Sequence, residues 1–236
     1  MTEDKGTGGI GEILVSSRSL DEYRAMFSLT DADLRRRILD CPGGAAGFVA
    51  EVCRDGGDVT ACDIAYLAGG LARVAADAVA EAERGNRFVR ERVESFRWSF
   101  FTDPDDHLRA RCRSAADFAV HSAAVPDRYL PARLPVLPFA DNSFDLVLSS
   151  HLLFSYAEDL DYDFHLAAIT DLVRVAAGEV RLFPLVPVGS SVRYERLEQL
   201  LGELGEAGIE SRILAVDYEF QVGANEMVVC GRAGSR

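Results

Sequence analysis

The residues best placed to do chemistry are two carboxylates and a glycine turn. Asp40-Cys41-Pro42-Gly43-Gly44-Ala45-Ala46-Gly47 follows the apolar pair Ile38-Leu39, and Asp63 closes the run Thr60-Ala61-Cys62. Gly43 and Gly44 have no Cβ, so a ligand can approach their backbone, and a helix leaving such a turn presents unpaired N–H groups. Asp63, at a strand end, is placed to accept hydrogen bonds from a ribose diol. Together these features suit a ligand that contains a nucleoside. The spacing Pro42-x-Gly44-x-x-Gly47 is close to a dinucleotide fingerprint with its first glycine replaced, and Asp63 lies near the distance that fingerprint expects. Asp40 argues the other way, because a carboxylate at the strand end repels a pyrophosphate and suits a cofactor with an ammonium group.

His151 is the candidate catalytic residue. It follows an apolar strand, and a neutral imidazole with a pKa near working pH can take a proton from a hydroxyl. The competing role, of equal weight, is a histidine that caps the strand end through backbone hydrogen bonds. Trp98, Tyr156 and Tyr162 are candidate substrate contacts, with packing in the core or at a rim as the alternative. His165 falls early in a helix and reads as structural. Cys41 and Cys62 read as small core residues. Neither the five cysteines nor the four histidines have metal-ligand spacing, so neither a disulfide framework nor a metal is expected.

The elements that must position these residues alternate along the chain. Residues 1–18 read as a flexible tail and 19–236 as one domain. A helix starts at Ser19, which can cap it, with Asp21 and Glu22 in the first turn. The strand Arg37–Asp40, the glycine turn, a helix from Phe48 and the strand Asp58–Asp63 open a parallel α/β sheet. Residues 66–123 are Ala-, Arg- and Glu-rich and contain no strand. They are predicted as a helical cap or insertion of three helices, 71–84, 88–101 and 107–118. Strands at 128–131, 144–149 and 179–185 and helices at 161–176 and 194–207 continue the alternation. Runs at 210–220 and 227–231 read as a final antiparallel hairpin.

The 236 residues carry a net charge of -13, which argues against a nucleic-acid partner. Lys5 is the one lysine, so neither a P-loop nor a pyridoxal Schiff base is available. No apolar run is long enough to span a bilayer and no signal core follows Met1, so a cytoplasmic protein without membrane contact is expected. The oligomeric state is not readable from the sequence.

Ile38 to Gly47 and Thr60 to Asp63 resemble motifs I and II of class I S-adenosylmethionine-dependent methyltransferases. Leu137-Pro138-Phe139-Ala140-Asp141-Asn142-Ser143-Phe144-Asp145 resembles their fourth-strand segment, and His151-Leu152-Leu153-Phe154 with Asn225-Glu226-Met227 is similar to an uncharacterised bacterial subgroup. The resemblance implies a Rossmann-like seven-stranded sheet and S-adenosylmethionine as cofactor. Asp40, Cys41, Pro42, Gly43 and Gly44 would hold its methionine end, Asp63 its ribose, and Ile64 and Leu134 its adenine; Ser150 would also bind the cofactor, with His151 at the pocket mouth. Pro42 and Ala46 stand where the family usually has glycines, and Arg133 where many relatives carry an acid that reads the adenine. The implied reaction is methyl transfer to a small-molecule acceptor; oxygen is the preferred atom on the ground of His151 alone. A nicotinamide-dependent oxidoreductase and a non-catalytic binding protein on the same scaffold are the alternatives.

Overall fold

The computed structural model describes residues 13–67 and 69–234. Seven strands, β1 (Arg37–Asp40), β2 (Asp58–Asp63), β3 (Tyr129–Pro131), β4 (Phe144–Ser150), β5 (Ala176–Phe183), β6 (Ile209–Ala215) and β7 (Glu226–Arg232), make one sheet. Their order is β3-β2-β1-β4-β5-β7-β6. The first five run parallel, and β7 lies antiparallel between β5 and β6. This is a Rossmann-like α/β sheet with an antiparallel hairpin at its edge, the arrangement that the resemblance implies. The chain order reverses between β1 and β4, so the crevice beyond their carboxyl ends is where such a sheet binds ligands.

Alternation along the central strands builds two apolar layers. Ile38, Leu146 and Leu148 enter one layer, and Leu39 and Val147 enter the other. Helices α1 (Leu20–Phe27), α2 (Phe48–Arg54), α3 (Gly70–Arg90) and α4 (Pro104–Ala124) cover the first face. Helices α5 (Tyr162–Val175) and α6 (Leu197–Glu206) cover the second. Ser19 closes a full capping box with Glu22 at the start of α1. Asp103 caps α4 with Pro104 in its first turn, and Asp161 caps α5.

The stretch 66–123 is helical, but it forms two helices of 21 residues each instead of three. The middle helix expected at 88–101 does not form. Phe88 to Arg90 finish α3, and the aromatic residues after them are drawn onto Phe220: the Phe96 and Phe101 rings lie 4.8 and 5.1 Å from it. The Arg97 N–H donates to the Phe220 carbonyl at 2.7 Å, which commits this backbone to an extended contact.

Residues 13–18 also depart from expectation. They are not a loose tail but a strap across the molecule, while residues 1–12 of that expectation lie outside the described residues. The Leu14 N–H donates to the Tyr156 hydroxyl at 2.9 Å, and the Val15 N–H to Glu81 Oε2 at 3.1 Å. Ser17 is buried and donates to the Arg111 carbonyl at 2.9 Å. Arg111 answers with a hydrogen bond to the Ser17 carbonyl at 3.1 Å and a buried ion pair to Glu22. The Tyr218 hydroxyl donates to the other Glu22 oxygen at 3.1 Å. Strap, α1, α4 and the approach to β7 thus meet at one buried pair of charges.

Burial alone would raise the Glu22 pKa, but the charge and hydrogen bond of Arg111 outweigh it and hold the carboxyl below its usual value. Glu22→Gln leaves Arg111 as an uncompensated buried charge, so a loss of about 3–5 kcal/mol is expected in urea unfolding. The folded carboxyl titrates below the unfolded one, so its contribution is complete above roughly pH 4.3 and is lost as pH falls through the folded pKa. The stability gap between wild type and variant should therefore narrow in acid. A gap that is constant or wider at low pH would contradict this assignment.

Candidate functional site

The turn after β1 is held almost entirely by backbone. The Gly43 N–H donates to the Cys62 carbonyl, Ala45 to Ser16, Ala46 to Gly43 and Gly47 to Arg18, all at 3.0–3.2 Å. The Gly44 N–H donates to Asp63 Oδ2 at 2.8 Å. Gly44 has φ +53°, and a Cβ there would lie 2.7 Å from the Ser16 carbonyl oxygen. A Cβ on Gly43 would meet the Ala61 Cβ at 2.6 Å and the Tyr66 hydroxyl at 2.9 Å. Both glycines are therefore required by the chain's own close packing. The N–H groups of residues 43–47 are all taken, so this turn offers a ligand no free backbone donors.

Asp63 is nearly buried and accepts from two N–H groups, Gly44 to Oδ2 and Ala65 to Oδ1, each at 2.8 Å. Burial lifts its pKa above the ordinary carboxylate value, against the pull of those N–H bonds. A carboxylate has about four acceptor positions, so two remain for a ligand. A cavity of about 320 Å3 opens beside it, within the range of small-molecule sites. Cys41 to Gly44, Asp63, Ile64, Leu134, Ser150 and His151 all line it.

Asp40 is the correction. Its carboxylate is fully buried and does not line the cavity, because α1 packs Tyr23 over it. The Tyr23 hydroxyl lies 3.0 Å from both Asp40 oxygens, and it is Tyr23 that faces the cavity. Burial drives the Asp40 pKa well up, with Tyr23 pulling it down less strongly. Asp40 is thus in no position to meet an ammonium directly.

Besides Asp63 and the exposed Arg133, the cavity is lined by a charged group from the strap, Arg18. Arg18 makes no ion pair among the described residues, and its Nε is buried without a hydrogen-bond partner. Its guanidinium reaches only the Ser16 hydroxyl. Burial, then the neighbouring Arg111, lower its pKa. The side chain is half-buried, and the carboxylate that offsets its charge at a distance, Glu22, is already paired with Arg111, so an anionic ligand would give the guanidinium a direct partner. Assigning 1–18 to a tail concealed this residue. The available signal was Ser16-Ser17-Arg18 running directly into a capping box.

His151 sits where this cavity meets a second one of about 100 Å3; both share Leu14, Ser16, Arg18 and His151. It has φ +51°, a left-handed conformation that few non-glycine residues adopt. Its N–H donates to the Phe183 carbonyl at 2.7 Å, and its Nδ1 lies 2.8 Å from the Ser150 hydroxyl. Burial, then Arg18 and Arg111, hold its pKa well below the usual histidine value, so the ring is neutral at neutral pH. Tyr156 lines the second cavity and also receives the strap's Leu14 N–H.

Trp98 and Tyr162 belong to neither cavity. Trp98 packs edge-on against the outside of Phe220 at 5.5 Å, because the stretch 91–103 is not a helix turned inward. Tyr162 starts α5 on the other face of the sheet, with Arg196 stacked 3.7 Å above its ring. His165 is fully buried between the carbonyls of Asp161 and Leu153, at 2.6 and 2.9 Å, in a structural position.

No protein-family model matches the chain. An uncharacterized protein of the archaeon Methanocaldococcus jannaschii, MJ0045, is 27% identical over 230 residues, 94% of this chain and 97% of its own length. The relative is archaeal, where the sequence resemblance suggested a bacterial subgroup. Among solved structures, the mitomycin 7-O-methyltransferase MmcR aligns over 91% of this chain and 54% of its own, at 16% identity and TM-score 0.47. TrmN from Thermus thermophilus aligns over 89% and 47%, at 20% identity and TM-score 0.43. A SAM-dependent methyltransferase from Aquifex aeolicus aligns over 89% and 95%, at 16% identity and TM-score 0.41. The chain spans about half the length of the first two. Fold likeness at this level leaves function to the site itself.

Gly44→Ala tests the clasp between turn and strap. Overpacking against Ser16 together with the left-handed backbone should cost about 1–3 kcal/mol, and the Ala45 and Gly47 amides should lose hydrogen-exchange protection. Gly202→Ala, in α6 with nothing within 4 Å of a new Cβ, is the control and should be neutral or slightly stabilising. Unchanged protection at Ala45 and Gly47 in the Gly44 variant would contradict the clasp.

Proposed function

We propose that the chain is an S-adenosylmethionine-dependent methyltransferase acting on a small-molecule acceptor, with oxygen the preferred acceptor atom. The observation that carries the reading is the pairing of a spent glycine turn with Arg18 and Asp63 on one cavity. A dinucleotide pyrophosphate uses free N–H groups at such a turn, and here those of residues 43–47 are committed to Cys62, Asp63, Gly43 and the strap. A ligand with one carboxylate and one ribose diol has what it needs.

The residues fit that cofactor at three points. Arg18, with its orphaned Nε, would take the methionine carboxylate. Asp63 would accept from the ribose hydroxyls with its remaining lone pairs. Ile64 and Leu134 would flank the adenine, with apolar contact in place of an acid that reads its amino group. Cys41 to Gly44 would border the methionine end. When bound, S-adenosylmethionine supplies an electrophilic methyl group on a sulfonium. The protein's own part is to place an acceptor against it in a cavity screened from water by the strap, which is catalysis chiefly by positioning. His151, neutral and hydrogen-bonded with Ser150, lines both cavities; with its pKa held well below the usual histidine value it is a weak base, and it would take the proton of a hydroxyl acceptor only as the methyl group moves.

The test is calorimetry with S-adenosylhomocysteine. Asp63→Asn and Arg18→Gln should each weaken binding at least tenfold, about 1.4 kcal/mol, while the protein stays folded. Wild-type affinity in both variants would contradict the assignment. His151→Ala should lower the single-turnover methylation rate on the order of a hundredfold or more, and an unchanged rate would remove the base role.

A further inference from the structure

The second cavity has a chemistry of its own. Among the described residues, six aromatic side chains line it, Phe88, Phe96, Tyr156, Phe183, Tyr218 and Phe220. Rings in such a slot favour a flat guest, by offset stacking and edge contacts, and about 100 Å3 limits it to something near a single ring.

One polar group on this wall has a fixed hydrogen-bonding sense. Arg90 Nε donates to Asn86 Oδ1 at 2.8 Å, and Asn86 Nδ2 donates to the Pro104 carbonyl at 2.7 Å. An arginine can only donate and a carbonyl can only accept, so the amide orientation is set. The same Nδ2 lies 3.0 Å from His107 Nδ1, which must therefore accept. The His107 proton is left on Nε2. Burial, then Arg111 and Arg18, push the His107 pKa down to about 2, so the ring stays neutral. It is stacked on Phe220, with centroids 4.9 Å apart and planes at 17°. No described residue accepts a hydrogen bond from Nε2, and His107 lines the cavity. Arg90, Asn86 and His107 thus make a relay that holds one N–H donor at a buried, apolar slot.

The charges around the slot are already matched. Arg111 is paired with Glu22, and Glu81 with Arg84 and the Val15 N–H. Arg18 is left for the cofactor carboxylate. An uncharged guest follows, since an added charge would be buried without a partner.

We propose that this cavity is the acceptor site and takes a monocyclic aromatic hydroxyl compound, uncharged, with a second acceptor atom on the ring for His107 Nε2–H. The inference rests on the methyltransferase reading above. A phenolic hydroxyl, with a pKa near 10, is within reach of a weak imidazole base, whereas an aliphatic alcohol is far less acidic. In the transfer an O–CH3 bond forms, the carbon–sulfur bond of the sulfonium donor breaks to leave a thioether, and the hydroxyl proton passes to His151. His107 is a specificity residue in this scheme. It reads the ring and takes no proton.

The experiment is saturation-transfer NMR and calorimetry on the full chain saturated with S-adenosylhomocysteine. The probes are a panel of benzenediols and hydroxypyridines, the matching cyclohexanediols, and benzylamines. The aromatic hydroxyl compounds should bind at least tenfold more tightly than the other two sets. His107→Phe keeps the ring stacked on Phe220 but removes the N–H, and should weaken them by about tenfold with S-adenosylhomocysteine affinity unchanged. Ala82→Leu is the second variant. It fills the cavity from α3, away from the cofactor residues, and should abolish the aromatic binding alone. Equal binding of saturated or cationic probes, no binding of the aromatic panel, or indifference to both variants would overturn the proposal while leaving the cofactor reading intact. Failure of wild type to bind S-adenosylhomocysteine would overturn both.

Discussion

Two backbone hydrogen bonds, from Ala45 N–H to the Ser16 carbonyl and from Gly47 N–H to the Arg18 carbonyl, tie the turn after β1 to the strap that crosses it. Most of what the site can do depends on that clasp. It consumes donors that a phosphate would otherwise use, it requires the absence of a Cβ at Gly44, and it carries Arg18 to the cavity wall. Because residues 13–18 run between the two cavities, the same clasp separates and joins them. Without it the larger cavity would be an open cleft at the sheet's switch point, with Asp63 its main polar feature.

The strap in turn is anchored by electrostatics that would be expensive to rearrange. Glu22 belongs at once to the capping box of α1, the ion pair with Arg111 and the hydrogen bond from Tyr218. A buried pair of this kind adds little net stability over an apolar replacement but penalises any arrangement that separates its members. That is the property a site needs when two helices, the strap and the segment before β7 must meet in one geometry. The two histidines on the cavity walls, His107 and His151, are both held uncharged by burial. Arg18, which lines both cavities, makes no ion pair among the described residues, and its buried Nε has no hydrogen-bond partner. That orphaned donor is better explained by a ligand than by folding.

Much of this was legible in the sequence, and the losses have physical causes. The strands around the switch point could be read because buried parallel strands are continuous apolar runs, and the ends of β1 and β2 could be read because each closes in an acid before a turn. Gly43, Gly44, Asp63, Ile64, Leu134, Ser150 and His151 were all picked out as site candidates, and they line one cavity. Asp40 was read as facing a ligand, because a strand pattern gives the end of a strand but not what packs over it; Tyr23, from a separate helix, does. Trp98 was placed in the wrong surroundings because an Arg- and Glu-rich stretch looks helical until its aromatics find Phe220. Arg18 was missed for the opposite reason: a short segment held by long-range backbone bonds leaves no periodic trace. His107 has no local signal either, since its tautomer is set by Asn86 and Arg90 from another helix.

The most direct test of the central claim is a calorimetric and thermal-shift comparison of S-adenosylhomocysteine, S-adenosylmethionine, NADH and NADPH on the purified wild-type chain. The account predicts that the two sulfur nucleosides bind and the two dinucleotides do not, with stabilisation of about 2.7 kcal/mol at a hundredfold excess over Kd. Binding of a nicotinamide dinucleotide in place of the sulfur nucleosides would mean that the turn can release its N–H groups after all, and would contradict the account at its base.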